Sequence, residues 1–384
     1  MRSPVVAAVI LGLLLGCSSG KRAPSTTAPS ATDEPAVGKA VYVGNELIRD
    51  YEPVSTLVTP ITHVDKPRYP AVDFHCHWTA AQEPAFLLRK MDDLGIAYAV
   101  NLSGGSGSPL QAMLDRFGPP SHGRLITFAN IDFTSIDDPD FPSHTAAALE
   151  SAFAHGARGL KIFKNLGLTI RDRSGKLVAV DDPRLDLAFE TCGRLGMPVL
   201  IHSGDPLPFF QPIDALNERW TQLKRHPDWS FADRSTYPTW DDVIAQRNRL
   251  IARHPKTTFV VAHMAEAGND YATLAGWLDA MPNMYIDISG REAEIGRQPF
   301  ASRRFFIQYA DRILFGTDRY PGRPDQPRYK PYYRILETSD EYFDYFDNGF
   351  APTGEWKVYG LNLPNDVLEK IYSTNALRLL HLAQ

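Results

Sequence analysis

The chain has 384 residues, of which 43% are apolar and 22% are charged, and its formal net charge is -5 at pH 7. That length allows one large domain or two ordinary ones, and the composition is typical of a globular protein. The acidic balance argues against a nucleic-acid partner, because binding to phosphates requires a basic face.

The first predicted element is a signal segment over residues 1–16. The stretch MRSPVVAAVILGLLLGC has one arginine, a short apolar run and small residues before Cys17, which predicts export rather than a spanning helix. Its end resembles a bacterial lipobox. That resemblance implies cleavage before Cys17, lipidation of its sulfur and anchoring to the membrane of the cell envelope, at the outer membrane if the cell is Gram-negative. A plain signal peptide with an accidental cysteine is the alternative.

Residues 17–40 are rich in Ser, Thr, Pro and Ala, a composition that cannot bury a core and predicts a flexible tether. The folded domain is expected over residues 41–384. Its two cysteines, Cys76 and Cys192, fall on a predicted strand and a predicted helix. We therefore expect packed free thiols, although an exported location permits a disulfide.

From about residue 70, short apolar strands alternate with amphipathic helices, a pattern typical of parallel β/α units. The intervening helices include EPAFLLRKMDDLG, which ends at a glycine, and TWDDVIAQRNRLIARHP, which begins at a threonine cap and stops before Pro255. Eight strands are predicted, at residues 71–77, 97–103, 125–133, 159–164, 198–203, 258–264, 284–289 and 313–318.

Eight strands with crossover helices over this length predict an α/β fold, the (β/α)8 TIM barrel. A doubly wound open sheet is the alternative, weakened because no Gly-x-Gly-x-x-Gly follows the first strand. Two long connections, at residues 204–238 and 319–331, follow the fifth and eighth strands. Such barrels build substrate pockets from connections at this end of their strands.

Four histidines and an aspartate stand at the carboxyl ends of the predicted strands. The first strand ends in His75 and His77, which share a face because they are two residues apart. His202, His263 and Asp318 end the fifth, sixth and eighth strands. Each alone would be an ordinary rim residue, but a barrel brings all its strand ends to one rim. Together they predict a divalent metal site, with zinc favoured and manganese as the alternative.

The motifs DFHCH, VLIHSGDP, FVVAHMAE and RILFGTDRYP, with the closing segment LPNDVLEKIYSTNALRLL, resemble those of the metal-dependent amidohydrolase superfamily, most closely its amidohydrolase-2 branch. The resemblance spans about residues 70–383. It implies that His75, His77, His202 and Asp318 hold one divalent ion, with His263 close by. Asp318 would take the proton of the attacking water, and His263 would orient that water or stabilise the oxyanion.

Other rim residues leave alternatives open. In binuclear members of the superfamily a carbamylated lysine on the fourth strand bridges two metals, which makes Lys161 a candidate bridge, whereas in many single-metal members it serves structure or substrate. One ion per chain is favoured over two. Lys164 is either a solvated loop residue or a substrate contact. Arg291 and Arg319 would grip a substrate carboxylate or pair with a neighbouring acid, and Asp287 is expected to orient a metal ligand.

These residues predict a metal-dependent hydrolase that acts on an amide, lactone or ester bond of a small molecule. The resemblance also admits a metal-dependent decarboxylase of an aromatic or muconate-type acid, because such relatives have the same apparent ligands. A non-catalytic lipoprotein that binds a metal or a ligand is the third alternative, since fold does not imply function. The resemblance is compatible with a homodimer, although no residue pattern marks an interface.

Overall fold

The computed structural model describes residues 44, 47, 48, 51, 53–323, 329–346 and 353–383. Contacts divide the chain into two units, Met1–Leu57 and Val58–Gln384, and the strands and helices given below belong to the second. The predicted signal segment, the tether and Cys17 lie outside the described residues. None of the helices in the described part of the chain combines the length and the apolar character that crossing a bilayer requires.

Parallel strands form the centre of the second unit. β1 pairs with β2 and β2 with β3, and a second run of pairings joins β4 to β9 in chain order. Each of these pairings is parallel. The strands are β1 Ala71–Cys76, β2 Ile96–Asn101, β3 Leu125–Thr127, β4 Ala129–Asn130, β5 Leu160–Ile162, β6 Val199–Ile201, β7 Phe259–Val261, β8 Met284–Asp287 and β9 Ile313–Leu314.

β3 and β4 are one barrel strand interrupted at Phe128. β3 pairs with β2, and β4 pairs with β5, so together they join the two runs of pairings. The Phe128 N–H donates to the Asn101 carbonyl oxygen at 2.9 Å, which continues the ladder across the interruption. Counted this way, the strands occupy the eight predicted positions, although each is shorter than predicted.

Backbone hydrogen bonds after β9 close the sheet on itself. The Phe74 N–H donates to the Phe315 carbonyl oxygen at 3.0 Å, and the Asp318 N–H donates to the His75 carbonyl oxygen at 2.8 Å. The first and last strands are therefore neighbours, which an open doubly wound sheet does not allow. The fold is a (β/α)8 barrel, as predicted.

Helices provide the crossovers that parallel strands require. α1 ends at Gly95, whose φ of +72° suits a residue without a Cβ. α6 begins at a capping box in which Thr239 and Asp242 each accept the other's backbone N–H. The helices are α1 Pro84–Leu94, α2 Gly107–Phe117, α3 Phe141–Ala154, α4 Asp186–Leu195, α5 Trp220–Leu223, α6 Trp240–Arg253, α7 Tyr271–Ala280, α8 Glu292–Arg297, α9 Pro299–Gln308, α10 Tyr329–Glu337, α11 Asn365–Glu369 and α12 Asn375–Leu379, with a π-helical turn, Lys370–Thr374, before α12.

The sequence predicts helices at the positions of α1, α3, α4, α6, α9, α11 and α12, but not at those of α2, α5, α7, α8 and α10. α2 starts directly after a Gly- and Ser-rich run that is typical of a loop, and α10 begins inside the predicted connection 319–331. Pro331 lies in the first turn of α10. A proline is tolerated there because the first N–H groups of a helix have no partner within the helix.

Two clusters of buried apolar side chains lie on opposite faces of the strands. The smaller cluster includes Val72, Leu200 and Val260, from strands spread around the barrel, and fills its interior. The larger cluster joins the other strand faces to the helices. Cys76 and Cys192 are buried free thiols, as predicted.

Candidate metal centre

Three of the predicted ligands meet where the first strand ends beside the segment that follows β9. The Nε2 atoms of His75 and His77 lie 3.5 Å and 3.4 Å from one oxygen, Asp318 Oδ1. Two donor atoms that each lie about 2.1 Å from a tetrahedral ion are about 3.4 Å apart, so this spacing fits a shared ion. The three side chains can therefore form a common ligand group.

Each imidazole of this group is held through its other nitrogen. His75 Nδ1 donates to Asp287 Oδ2 at 2.8 Å, and His77 Nδ1 lies 2.7 Å from Ser103 Oγ. Because an ionised carboxylate only accepts, the Nδ1 of His75 carries the hydrogen and its Nε2 keeps a lone pair. That lone pair faces Asp318, which is the arrangement of a metal-ligating histidine backed by a carboxylate.

The ionisation of Asp287 follows from the groups around it. Burial raises the pKa of this carboxyl, but its electrostatic interaction and hydrogen bond with His75, together with hydrogen bonds from Ser289 and the His263 N–H, lower it further than burial raises it. Asp287 therefore remains a carboxylate in a fully buried position. The predicted orienting role of Asp287 is consistent with these contacts.

A second group of candidate ligands adjoins the first. The ligand atoms of His202, His263 and Glu266 lie within 4.8 Å of one another. His202 Nε2 is 3.4 Å from Glu266 Oε1 and is buried with no hydrogen-bond partner among the described residues. His263 links the groups, with its ring centroid 4.4 Å from that of His202 and 4.9 Å from that of His75. The structure thus places His202 in this adjacent group rather than in the one around Asp318.

The tautomer of His263 determines whether its Nε2 can donate or accept a hydrogen bond. Its Nδ1 lies 2.7 Å from the Ser289 carbonyl oxygen, which only accepts, so Nδ1 carries the hydrogen. Burial, and then the charges of His202 and Arg291, hold its pKa well below the usual range. The ring is therefore neutral, and its Nε2 accepts a hydrogen bond or binds a metal. Of the two predicted roles, this favours orienting a water over donating to an oxyanion.

The backbone after β7 is left-handed over four consecutive residues. His263, Met264, Ala265 and Glu266 have φ values of 57°, 53°, 55° and 60°, and Asp318 has a φ of 60°. None of them is glycine, and each left-handed L-residue costs roughly 1–2 kcal/mol. Such strain concentrates at functional sites, and here it shapes the segment that carries both His263 and Glu266.

Two lysines reach the site from β5 and the residues after it. Lys161 is buried, and its Nζ lies 3.5 Å from His75 Nε2. Burial lowers its pKa to about 8, although nearby carboxylates oppose this. The neutral amine, which is the form that reacts with carbon dioxide, is therefore more easily reached than in an exposed lysine. Lys164 forms an ion pair with Asp205 at 2.6 Å.

The two predicted arginines also contact groups of the site. Arg291 Nη2 donates to Glu266 Oε2, and Arg291 Nε donates to the His263 carbonyl oxygen at 3.1 Å. Arg319 Nη1 donates to the Asp318 carbonyl oxygen at 3.2 Å. Arg291 thus pairs with an acid, which was one of its two predicted roles, and both arginines line the pocket described next.

A pocket of about 230 Å³ is lined by His202, His263 and Asp318 together with residues of the connection 204–238, such as Phe209 and Trp229. That connection therefore contributes to the pocket, as predicted. Sequence reasoning missed Ser103 and Arg219. Ser103 lies two residues after the end of β2, so its place near a strand end was a usable signal, whereas Arg219 lies inside a long connection without periodicity.

Several solved structures resemble the chain at low sequence identity. A 2,6-dihydroxybenzoate decarboxylase from Rhizobium is 17% identical, with 82% of this chain and 99% of that chain covered and a TM-score of 0.48. A dihydroxybenzoic acid decarboxylase from Polaromonas sp. JS666, solved with manganese and 2-nitroresorcinol, is 15% identical, with coverages of 82% and 97% and a TM-score of 0.46. A 4-oxalomesaconate hydratase from Rhodopseudomonas palustris is 14% identical, with coverages of 81% and 95% and a TM-score of 0.48.

No curated protein sequence matches the chain. The profile of one protein family, described as Amidohydrolase, matches residues 129–382. This match covers more than half of the chain and includes His202, His263 and Asp318, while His75 and His77 precede it. The chain therefore belongs to the amidohydrolase family, in the metal-dependent amidohydrolase-2 branch.

Proposed function

We propose that this protein is a metal-dependent hydrolase that uses an activated water to cleave an amide, lactone or ester bond of a small molecule. The observation that carries the proposal is the shared position of Asp318 Oδ1, which lies 3.5 Å and 3.4 Å from the Nε2 atoms of His75 and His77. Both imidazoles are held through Nδ1, and both Nε2 atoms face the same carboxylate oxygen.

A divalent ion held by His75, His77 and Asp318, with His202 adjacent, would supply Lewis acidity at the mouth of the barrel. Asp318 then accepts a proton from the attacking water and passes it to the leaving group. The neutral ring of His263 accepts a hydrogen bond from that water and fixes its direction. Asp287 keeps the Nε2 of His75 aimed at the site.

Nitrogen and oxygen ligands favour zinc and leave manganese as the alternative, and we propose one ion per chain. Lys161, in contrast, is compatible with two ions per chain. Its lowered pKa and its position beside His75 suit a carbamate that would bridge the group around Asp318 to the group around Glu266. The metal content of the protein separates these two cases.

The experiment measures metal per chain by plasma mass spectrometry in protein purified without chelator. About one equivalent of zinc or manganese is expected in the parent, and little in His75→Ala, because that change removes a ligand. His254→Ala is the matched control, since His254 is also buried and also contacts an aspartate, Asp186, at 2.9 Å, but lies away from the site. It should retain the parent's metal.

About two equivalents would instead support the bridging carbamate on Lys161. Metal-free protein after reconstitution would contradict the proposal and favour a binding protein on an enzyme scaffold. With metal established, a panel of amides, lactones and esters is tested beside aromatic and muconate-type acids. Release of carbon dioxide from an acid, without hydrolysis of any member of the panel, would identify a decarboxylase instead.

A further inference from the structure

One buried arginine outside the pocket contacts the left-handed run, residues 263–266. Arg247 lies on the buried face of α6, is 0% exposed and is not among the described residues that line the pocket. Its Nη1 donates to the Ala265 carbonyl oxygen at 2.8 Å. Because Arg247 does not reach the pocket, it can influence the reaction only through the residues that it holds.

The guanidinium of Arg247 is itself held in place. Its Nε and Nη2 donate to Asn248 Oδ1 at 3.1 Å and 2.9 Å, and its Cζ lies 4.7 Å from the ring centre of Trp277 on α7. Burial lowers the pKa of Arg247 to about 9, against the charge of Glu266, so the guanidinium stays charged at neutral pH. A charged donor in a fixed position makes a stronger hydrogen bond than a neutral one.

A second arginine also holds the left-handed run. Arg291 Nε donates to the His263 carbonyl oxygen at 3.1 Å, and Arg291 Nη2 donates to Glu266 Oε2. Arg291 lines the pocket, so a change at this residue would alter the pocket surface as well as the run. A change at Arg247 would remove a bond to the run and leave the pocket lining in place.

The bond from Arg247 supports a conformation that is unstable by itself. L-residues avoid the left-handed region, and a run of them persists only where its surroundings fix it. The Ala265 carbonyl belongs to the peptide group that precedes Glu266, so a charged donor on this oxygen fixes that peptide plane. Without it the run would relax, and the side chains of His263 and Glu266 would move relative to the other candidate ligands.

We propose that Arg247 is a positioning residue of the site. Its hydrogen bond to the Ala265 carbonyl holds the left-handed run and thereby keeps the Nε2 of His263 beside the candidate metal ligands. The consequence for the metal centre rests on the proposed function and deepens it, whereas the hold of Arg247 on the run does not depend on a metal.

The first measurement is hydrogen–deuterium exchange of the metal-free protein, read by mass spectrometry. Arg247→Met removes the donors and keeps much of the length of the side chain. Exchange should rise about tenfold in peptides that span residues 262–268 and stay at the parent's rate over β6 and β8, because one local bond is lost. A residue that contributed only to global stability would raise exchange in all of these segments together.

Arg312→Met is the matched control. Arg312 also donates to backbone carbonyl oxygens, those of Met281 and Met284, and also lies over an aromatic ring, that of Tyr285. These contacts are at the beginning of β8, the end opposite the candidate metal centre. In this variant exchange should rise there and remain unchanged over residues 262–268.

The second measurement tests the consequence for the site. Protein loaded with Co²⁺ is titrated with acetohydroxamate, which binds a metal through two oxygens and keeps an N–H for an acceptor such as His263 Nε2. Visible absorption of the Co²⁺ ion reports the binding. Arg247→Met should hold as much Co²⁺ as the parent but bind acetohydroxamate about tenfold more weakly, because its N–H loses that acceptor. Arg312→Met should match the parent in both respects.

Arg247→Lys is a milder variant. Lysine keeps the charge over Trp277 and one donor nitrogen, but that nitrogen cannot reproduce the planar fork that bonds Ala265 and Asn248 together. Both changes should therefore be in the same direction as in Arg247→Met and smaller. If Arg247→Met does not fold, this variant decides the question.

Exchange over residues 262–268 that equals the parent's in the Arg247 variants, or that rises only together with β6 and β8, would overturn the proposal. An unchanged affinity for acetohydroxamate despite a loosened run would overturn the positioning role. If the run loosens locally in the variants but the parent binds no Co²⁺, the hold of Arg247 on the run stands and the proposed metal-dependent hydrolase fails.

Discussion

A single buried carboxylate, Asp287, fixes the geometry of much of the site. Its Oδ2 accepts from His75, and its Oδ1 accepts from the backbone N–H groups of His263 and Ser289 at 3.0 Å. The Ser289 hydroxyl also donates to Oδ1 at 2.5 Å. One side chain at the end of β8 thus positions a histidine from β1 and the backbone that follows β7.

Asp287→Asn tests this role. Asparagine keeps an oxygen for the backbone donors but loses the charge that makes His75 a strong ligand. We expect metal affinity to fall by about 10- to 100-fold, measured by competition with a chromophoric chelator, while the circular dichroism spectrum is retained.

Asp186→Asn is the matched control, because Asp186 also contacts a histidine, His254, but away from the site. Its metal affinity should equal that of the parent. An equal loss in both variants would mean that the effect is a general loss of stability rather than support for one ligand.

The sequence predicts the meeting of His75, His77 and Asp318 because strand ends converge wherever a barrel closes, whatever their spacing in the chain. It could not predict that Arg219 contacts Glu294, because those residues are 75 positions apart on segments without periodicity. It also could not predict the neutral tautomer of His263, which depends on the carbonyl of Ser289. Long-range contacts of irregular segments leave no local pattern.

At the scale of the element, the left-handed run 263–266 is the most unusual feature. A single left-handed residue is commonly a glycine, and a run of them in non-glycine residues requires support from its surroundings. Here the ends of the run are held by bonds of His263 to Asp287 and Ser289 and by the ion pair of Glu266 with Arg291. The sequence His-Met-Ala-Glu gives no sign of this conformation.

Ala265→Gly measures the strain in this run. Ala265 and Ala188 are both essentially fully buried, so either change to glycine removes a packed methyl group. In right-handed α4, Ala188→Gly should lower the free energy of unfolding by about 1–2 kcal/mol. At Ala265, relief of the left-handed strain should offset the lost packing, for a change near zero.

Urea unfolding of the parent and both glycine variants provides the comparison. The expected difference of about 1–2 kcal/mol between the two sites is itself the measure of backbone strain. Equal losses at Ala265 and Ala188 would show that the run is not strained.

At the scale of the molecule, Asp73 joins the beginning of the barrel to its end. Its Oδ2 accepts from the Thr317 hydroxyl at 2.6 Å and from the Tyr329 hydroxyl at 2.7 Å, and its Oδ1 accepts from the Thr317 N–H at 3.1 Å. Burial raises the pKa of Asp73, and these hydrogen bonds oppose the rise. The first strand is thereby tied to the segment after β9 and to α10.

Tyr329→Phe removes one of these ties without changing the shape of the ring. Because it leaves a buried carboxyl with one donor fewer, the free energy of unfolding should fall by about 1–3 kcal/mol in urea denaturation. Tyr309→Phe is the control, since the Tyr309 hydroxyl donates to Asp279 at 3.0 Å in a partly exposed place. In this control the free energy of unfolding should fall by less than about 1 kcal/mol. Similar losses in the two variants would contradict a special role for the tie to Asp73.

The strand count and the barrel closure were predictable because alternating β/α units and apolar runs are local patterns. The interruption of one strand at Phe128 and the helix α10 were not, since each depends on packing that the local sequence does not reveal.

The hydrogen bonds that close the barrel also constrain how the chain folds during its synthesis. Thr317 and Asp73 are separated by 244 positions, so the contact that joins the first and last strands has a very large sequence separation. The entropy cost of bringing these two segments together is therefore paid late in folding. A nascent chain that ends before β9 has both sheet edges unpaired, and unpaired edges recruit other strands. Premature termination anywhere before residue 313 should therefore yield aggregates rather than a smaller barrel. The last seventy or so residues are thus needed before the chain can escape aggregation.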